Sequence, residues 1–345
     1  MKYNLAIIGL GNVGTGLIEV LIQKKESIKT SHYIDIEVVA VCDKIRGSIY
    51  NADGLDLNLI AELANSKRSL DEYPDAQHGM DSIQSITDTN ANVVIELTIT
   101  NLKTAEPAIT HVRTALSHGK HVITSNKGPS SLYHNELRKL AHDNHVQYRI
   151  EGTVMSGTPV LRTAQYGLAG CTIHKIRGIL NGTSNYILTK MEKGAEYDAA
   201  IKDAIRHGYA EADPSGDVEG WDALAKVVIL SNVLLDGNIS NADVRKEGIT
   251  ELKHTDIKHA LSEGYRWKLI GEIEKRDGQI IASVSPQKLP LSDPLANVMG
   301  STNAITFETD ILGPVTIIGA GAGRIETGYS IISDLLTLHQ IQTSR

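Results

Sequence analysis

Along the first half of the chain, short apolar runs alternate with stretches whose apolar residues recur every three or four positions. "LAII" (5–8) is a run of the kind that forms a strand buried on both faces. Beyond it Leu17, Ile18, Leu21 and Ile22 fall at helical spacing. "DIEVVAVCD" (35–43), "ANVVIELT" (91–98) and "HVITSNKG" (121–128) predict further strands. Between the last two, 107–119 predicts a helix with Ala108, Val112 and Ala115 on one face. After residue 128 the rhythm weakens. "VQYRIEGTVMSGTPVL" (146–161) offers one strand and a Gly/Ser/Thr-rich turn able to present backbone carbonyls. "HKIRGILNGTSNYILTKME" (174–192) reads as a strand, a small polar turn at Asn181-Gly182-Thr183, and a helix carrying Ile187, Leu188 and Met191. A helix is predicted over 218–235, with Asp217 as its N-cap and Trp221, Leu224, Ala225 and Val228 on its apolar face.

The first strand and helix enclose Gly9, Gly11 and Gly14 as G-x-G-x-x-G. In that setting the first glycine permits a tight turn and the second lets backbone approach a pyrophosphate. The third packs helix against strand, and the helix N-terminus faces the phosphates. The pattern therefore points to a dinucleotide and to a Rossmann-type α/β domain. Asp43 ends the second strand, where a carboxylate would bind the adenosine ribose and favour NAD, whereas Lys44 and Arg46 could instead hold a 2′-phosphate. Thr98, Ser125, Asn126 and Lys127 follow the next strands, at the carboxyl ends where ligands of open parallel sheets lie.

Composition narrows the partners. The chain has 345 residues, 41% hydrophobic and 22% charged, which is ordinary for a globular protein and enough for two domains. A net charge of −7 with no basic run argues against nucleic acid as a general partner. The richest apolar stretch, 227–235, is interrupted by Ser231 and Asn232 and is too short to span a membrane. The N-terminus runs straight into a strand-like segment, so no signal peptide is expected. Cys42 and Cys171 have no metal-like spacing, which fits a reduced, cytoplasmic protein. The 13 histidines form no HxxxH or HxH pair, so a structural zinc is not expected.

The densest candidate chemistry lies in "EADPSGDVEGWDALAK" (211–226), where Glu211, Asp213, Asp217, Glu219 and Asp222 precede Lys226. On the predicted helix Glu219, Asp222 and Lys226 would share a face, with Asp222 and Lys226 an i,i+4 pair. Such pairs usually decorate a surface. Clustered carboxylates can equally bind a substrate ammonium, and a lysine among them can move a proton in a desolvated site.

These motifs carry a resemblance. "YAEADPSGDVEGWDALAK", with "GILNGTSNYIL", "TSNKG", "EGTVMSGTP", "PLANVMGSTNAI" and "GAGAGRIETG", is similar to the homoserine dehydrogenases, with the motifs in that family's order. The resemblance implies NAD(P)-dependent interconversion of L-aspartate 4-semialdehyde and L-homoserine, on the route to threonine and methionine. It implies a nucleotide-binding domain over 1–135, completed by 310–345 returning from the C-terminus, and an α+β substrate and dimerisation domain over 136–309. A homodimer or homotetramer is expected. Lys226 would be the acid/base, with Asp222 beside it and Lys127 orienting or polarising the substrate. Glu211 would hold the substrate ammonium, with Gly182, Thr183 and Asp217 around the substrate. Gly9, Gly11, Asn12, Val13 and Gly14 would cradle NAD or NADP, with Asp43, Thr98, Ser125, Asn126 and Gly321 along it. Glu151 and the carbonyls of Val154, Ser156 and Thr158 would hold a monovalent cation, usually sodium; an oxygen-rich turn suits such an ion.

The chain departs from the family pattern at several positions. Glu326 replaces a common proline, Ile99-Thr100 a common Gly-Gly, and Ser156 and Thr158 stand where glycine and isoleucine are frequent. No C-terminal regulatory domain or fused kinase is expected. Oxidation needs a neutral lysine, so activity is expected to rise with pH. Two other readings compete. Aspartate semialdehyde dehydrogenase would need an activated cysteine, which neither Cys42 nor Cys171 suggests. A degenerate dinucleotide sensor would need an effector element, and no basic helix-turn-helix is visible.

Overall fold

A computed structural model describes residues 1–343, which divide into two compact units, 1–157 with 323–343, and 158–322. The first unit is built on a seven-stranded sheet of β1 (Lys2–Ile8), β2 (Asp35–Asp43), β3 (Gly47–Tyr50), β4 (Gln77–His78), β5 (Val93–Glu96), β6 (His121–Thr124) and β7 (Tyr148–Arg149). Their spatial order is β4-β3-β2-β1-β5-β6-β7. β1, β2, β5, β6 and β7 are parallel, whereas β3 and β4 form an antiparallel edge. Between them run α1 (Asn12–His32), α2 (Leu57–Asn65), α3 (Ser82–Thr87), α4 (Ala108–Ser117), α5 (Lys127–Leu132) and α6 (His134–Asp143). The apolar runs read from sequence are these strands, because both sheet faces are covered. Leu5, Ile7, Leu17, Leu21, Ile60 and Ile331 share one core, and Ile8, Val94, Ile109, Val112, Val122 and Leu137 the other.

The second unit has a six-stranded sheet. It contains β8 (Ile173–Ile179), β9 (Val244–Lys246), β10 (Tyr265–Arg276), β11 (Gln279–Pro290), β12 (Thr302–Thr309) and β13 (Gly313–Ala320), in the order β13-β12-β8-β10-β11-β9. The β10–β11 hairpin turns on Asp277-Gly278, both at positive φ (51° and 79°), as a two-residue hairpin loop requires. Its helices are α7 (Val160–Arg162), α8 (Gly182–Glu192), α9 (Tyr197–Arg206), α10 (Ser215–Val218), α11 (Trp221–Leu234) and α12 (His254–Ser262). The last helix, α13 (Arg324–Thr343), belongs to the first unit and packs on α1. Contact there is backbone to backbone: a Cβ on Gly16 would lie 2.1 Å from the Arg324 carbonyl oxygen, and one on Gly328 2.6 Å from the Gly16 carbonyl carbon.

Two expectations change. The division falls at 157/158 and 322/323, not at 135/136 and 309/310. β7 extends the parallel sheet beside β6, and β13 pairs along its whole length with β12. The helix expected over 218–235 is two helices, because Gly220 between them adopts φ 86°, a left-handed conformation that an α-helix does not accommodate. Asp217 thus lies inside α10, and Gly220 is the N-cap of α11.

Lys268 on β10 is wholly buried; its Nζ donates to Asn185 Oδ1 (2.9 Å) and to the Val298 carbonyl (2.7 Å). Burial pushes its ammonium down from 10.5 to about 8. Between those values the unfolded chain keeps a proton that the folded chain has released, so the Lys268 contribution to stability rises with pH from about 8 towards 10.5. Urea unfolding across that window should show wild type gaining on Lys268→Met, by an amount on the order of 1–3 kcal/mol. A difference that stays flat with pH would disprove the shift.

Candidate active site

The glycine-rich turn sits at the switch point of the first sheet, where β1 lies between β2 and β5 and the chain leaves in opposite directions. Gly9 has φ 104°, and a Cβ there would lie 2.7 Å from the Leu97 carbonyl, so the loops after β1 and β5 touch through bare backbone. A Cβ on Gly14 would lie 2.3 Å from the Gly9 carbonyl oxygen. Gly11 differs: a Cβ there would meet nothing within 4 Å. It is the N-cap of α1 and makes no side-chain cap, and no acidic residue occupies the first turn, where Asn12 and Val13 sit. The amide groups of that turn therefore have no side-chain cap at the positive end of a 21-residue helix. This end of the helix fits a dinucleotide pyrophosphate.

Asp43 stands beside this turn. Its carboxylate accepts from Leu10 N (2.8 Å), Ile45 N (2.9 Å) and Arg46 N (3.1 Å), which fixes it against the glycine loop. The Arg46 guanidinium points elsewhere and donates to the Ala64 carbonyl at the end of α2 (2.7 Å). It is therefore not held ready for a 2′-phosphate; Lys44 stays exposed.

On the other side of the switch point the side chains brace loops. Asn126, buried, caps α5 through Gly128 N (3.0 Å), and its Nδ2 donates to the carbonyls of Thr98 (3.0 Å) and Ile99 (3.3 Å). The Thr98 hydroxyl donates to the carboxylate of Glu96, a fully buried residue whose side chain also lies 3.4 Å from His111 Nδ1. Sequence inspection missed Glu96 and His111; only the fold brings residues 15 apart into contact. Ser125 lies against Gly152, where a Cβ would be 2.9 Å from that of Ser125, and Lys127 opens α5.

The segment proposed for a cation is an irregular turn. Glu151 is buried, with its backbone N–H donating to Asp334 Oδ2 (2.9 Å). Met155 and Ser156, at φ 56° and 54°, reverse the chain after Val154, and the Ser156 and Thr327 hydroxyls are 2.7 Å apart. Thr158 belongs to the second unit and donates to the Ala320 carbonyl (2.9 Å). Among the described residues no group of three or more His, Cys, Asp and Glu could hold a metal, so a site here would rest on one carboxylate and carbonyl oxygens. That oxygen donor set fits a weakly charged cation rather than a transition metal. Glu326 lies in the first turn of α13 with its carboxylate over Gly323, where a negative charge suits the helix end.

The second unit holds the lysine. Lys226 projects from α11 and is buried; its Nζ donates to the Leu180 carbonyl (2.6 Å) and to Asp222 Oδ2 (2.7 Å). An ammonium has three protons, and among the described residues these two acceptors leave one uncommitted. Asp217 approaches from α10, and one amide nitrogen, Asn181 Nδ2, donates to both Asp217 Oδ1 (2.6 Å) and Asp222 Oδ2 (3.0 Å). Burial, and then the neighbouring Asp222 carboxylate, push the Asp217 carboxyl upward. Gly182 and Thr183 form the first turn of α8 next to this group. A Cβ on Gly182 would lie 2.6 Å from the Ser301 carbonyl, and the Thr183 hydroxyl donates to the Tyr209 carbonyl (2.6 Å). Gly321 covers the Asn303 side chain, since a Cβ on it would lie 2.2 Å from that amide, which is fully buried and has no hydrogen-bond partner among the described residues.

Not every acidic residue of the 211–226 stretch joins the cluster. Glu219 turns away: its Oε2 accepts from Trp221 Nε1 (2.9 Å), and Lys246 sits 4.0 Å above the half-exposed Trp221 ring. The helix break at Gly220 removes Glu219 from the face shared by Asp222 and Lys226, and removes Trp221 from the apolar face. Asp213 caps Ser215 N (3.0 Å), and Glu211 is exposed in the segment before α10.

Two family profiles match the chain, "Homoserine dehydrogenase, NAD binding domain" over residues 9–151 and "Homoserine dehydrogenase" over 159–336. An NAD(+)-dependent homoserine dehydrogenase of Pseudomonas canavaninivorans is 43% identical over 345 residues, covering 100% of this chain and 98% of its own. The homoserine dehydrogenase of Methanocaldococcus jannaschii is 41% identical, with 97% and 98% covered. Among solved structures, a homoserine dehydrogenase from Thiobacillus denitrificans superposes with a TM-score of 0.87 at 33% identity, covering 100% of this chain and 74% of its own. A hyperthermophilic archaeal homoserine dehydrogenase mutant in complex with NADPH does so with 0.85 at 31% identity, covering 99% and 98%.

The open space at Gly11 gives a separable test of the dinucleotide site. Gly11→Ala should melt within a degree or two of wild type, yet bind NAD+ at least ~10-fold more weakly by calorimetry. Gly14→Ala should lose both stability and binding. An unchanged affinity in Gly11→Ala would remove the pyrophosphate from the end of α1.

Proposed function

The chain belongs to the homoserine dehydrogenase family, and we propose that it interconverts L-aspartate 4-semialdehyde and L-homoserine through the groups assembled around Lys226. The observation that carries this reading is the buried ammonium with two of its protons engaged and the third uncommitted among the described residues. The nicotinamide cofactor, when bound, supplies or takes up the hydride at the substrate C4. In reduction Lys226 gives a proton to the oxygen that gains charge at C4; in oxidation it takes the hydroxyl proton. Asp222 keeps the ammonium in place and stabilises its charge. Asp217 and Glu211 supply carboxylates for the substrate ammonium, and the first turn of α8, at Gly182 and Thr183, offers backbone amides to the substrate carboxylate. Lys127 is the further residue that orients or polarises the substrate.

Gly9, Gly11, Asn12, Val13 and Gly14 hold the pyrophosphate, with Thr98, Ser125, Asn126 and Gly321 as further cofactor residues. NAD+ is the form this reading prefers, because Asp43 is braced against the glycine turn, where a carboxylate would meet the ribose, and Arg46 is tied to α2. The Pseudomonas relative is named as NAD(+)-dependent, which agrees. Glu151, Val154, Ser156 and Thr158 supply oxygens for a monovalent cation such as sodium, whose charge would stiffen the turn after β7. A second copy of the chain is the expected partner, since the edge strand β13 and the turn before it expose Ile311 (71%), Leu312 (58%) and Ile318 (57%). Among the described residues no helix is long and apolar enough to cross a membrane, and both cysteines are free, in keeping with a cytoplasmic enzyme.

Purified protein mixed with L-homoserine and NAD+ should raise nicotinamide absorbance, faster than with NADP+. Lys226→Ala should lower kcat by roughly 10²–10⁴-fold, the range general acid–base catalysis contributes. Activity that survives this substitution would remove Lys226 from the proton transfer. Asp43→Ala should narrow the preference for NAD+ over NADP+ in kcat/KM; an unaltered ratio would place the discrimination elsewhere.

A further inference from the structure

The sequence places Asp217 and Asp222 five residues apart, a spacing that puts two residues on different faces of one helix. In the structure they stand on two helices separated by the left-handed Gly220, and one side chain reaches both. Asn181, buried, follows β8 and precedes α8. Its Nδ2 carries two hydrogens and donates to one carboxylate of each helix, at 2.6 and 3.0 Å. Its Oδ1 accepts from Ser184 N (2.8 Å) and caps α8. The residue before it supplies the carbonyl that holds Lys226 (2.6 Å). Leu180 and Asn181 together therefore fix the lysine, both carboxylates and the helix whose first turn is Gly182-Thr183.

We propose that Asn181 is a positioning residue that sets the geometry and the protonation of the Asp217–Asp222–Lys226 group. This rests on the reading of that group as the proton-transferring site. Two carboxylates brought together resist ionising at once. A single amide that donates to both offsets part of that repulsion and fixes the two carboxylates relative to each other. The titratable groups facing Asn181 are Asp217 from α10 and Asp222 with Lys226 from α11. Asn181 does not itself exchange a proton with the substrate.

Asn181→Asp separates this role from capping. An aspartate keeps the size and the N-cap oxygen, since Asp and Asn cap equally well. It removes both N–H donors and adds a third negative charge. Added negative charge makes the carboxylates and Lys226 hold protons more tightly, so the proton-accepting form of the group appears at higher pH. With L-homoserine and NAD+, the variant should melt within a few degrees of wild type and bind NAD+ equally well. Its kcat should fall at least ~10-fold, and the rising limb of its pH–rate profile should move up by about one pH unit. Asn181→Ser, which keeps a cap oxygen without adding charge, should lose kcat with a smaller displacement of the profile. Carboxyl-carbon NMR titration of Asp217 and Asp222 gives a readout independent of turnover: the Asp217 midpoint should rise in Asn181→Asp relative to wild type. Wild-type kcat with unmoved titrations in both variants would reduce Asn181 to a helix cap and overturn the proposal. So would a loss of kcat that merely tracks lowered melting temperature. A wild type that turns over no homoserine, with Asp217 still titrating higher in Asn181→Asp, would overturn the assigned reaction and leave the positioning role standing.

Discussion

Burying the Lys226 ammonium constrains most of the second unit. A charge held at 5% exposure is costly unless its protons find acceptors, and the chain supplies a backbone carbonyl and a carboxylate. The carbonyl is that of Leu180, directly after β8, so α11 must lie alongside the end of that strand. The carboxylate is one turn back on α11 itself. Asp217 can join them only because α10 and α11 are separate, and that break depends on the left-handed Gly220. A continuous helix would have kept Asp222 beside Lys226 but carried Asp217 to another face. Removing Asp222 would take away the carboxylate that pairs with the buried ammonium, a loss that is costly in a buried site.

The first unit depends on the opposite device, the absence of side chains. Loops after β1 and β5 meet through Gly9 and Leu97, α1 meets the loop after β1 through Gly14, and α1 meets α13 through Gly16 and Gly328. These contacts leave the first turn of α1 uncapped and open at Gly11. Polar side chains around it are spent on holding loops: Asp43 on three backbone amides, Asn126 on two carbonyls and an amide, Glu96 on Thr98. The glycine turn is thus lined mostly by backbone and braced by the side chains next to it.

Sequence and structure agree most closely where a pattern is short-range. The strands at 35–43 and 121–124 and the helix at 108–117 follow from apolar runs and periodicity, because both faces of a parallel sheet are covered and any such run must be buried. The Asp222–Lys226 pair follows from one turn of helix. Where the reading from sequence failed, a single residue outvoted a pattern. Gly220 ended a periodicity that otherwise ran unbroken from 218 to 235, and so Glu219 pairs with Trp221 while Asp217 faces Asp222. The domain boundaries moved for a related reason, since β7 is two residues long and is defined only by its partner β6.

Alone, the sequence determined the fold class, the dinucleotide turn and the stretch holding the acid/base candidates, because each is encoded in residues close together along the chain. Spacing, periodicity and glycine placement act locally, and they survive whatever the rest of the molecule does. The tertiary structure decided which of five clustered acids approach the lysine, that Arg46 is tied to α2, and that Glu96 meets His111. It also decided that one asparagine, 36 and 41 residues from its partners, joins Asp217 to Asp222. These outcomes depend on hydrogen bonds between distant segments, whose geometry exists only once the sheets and helices have packed.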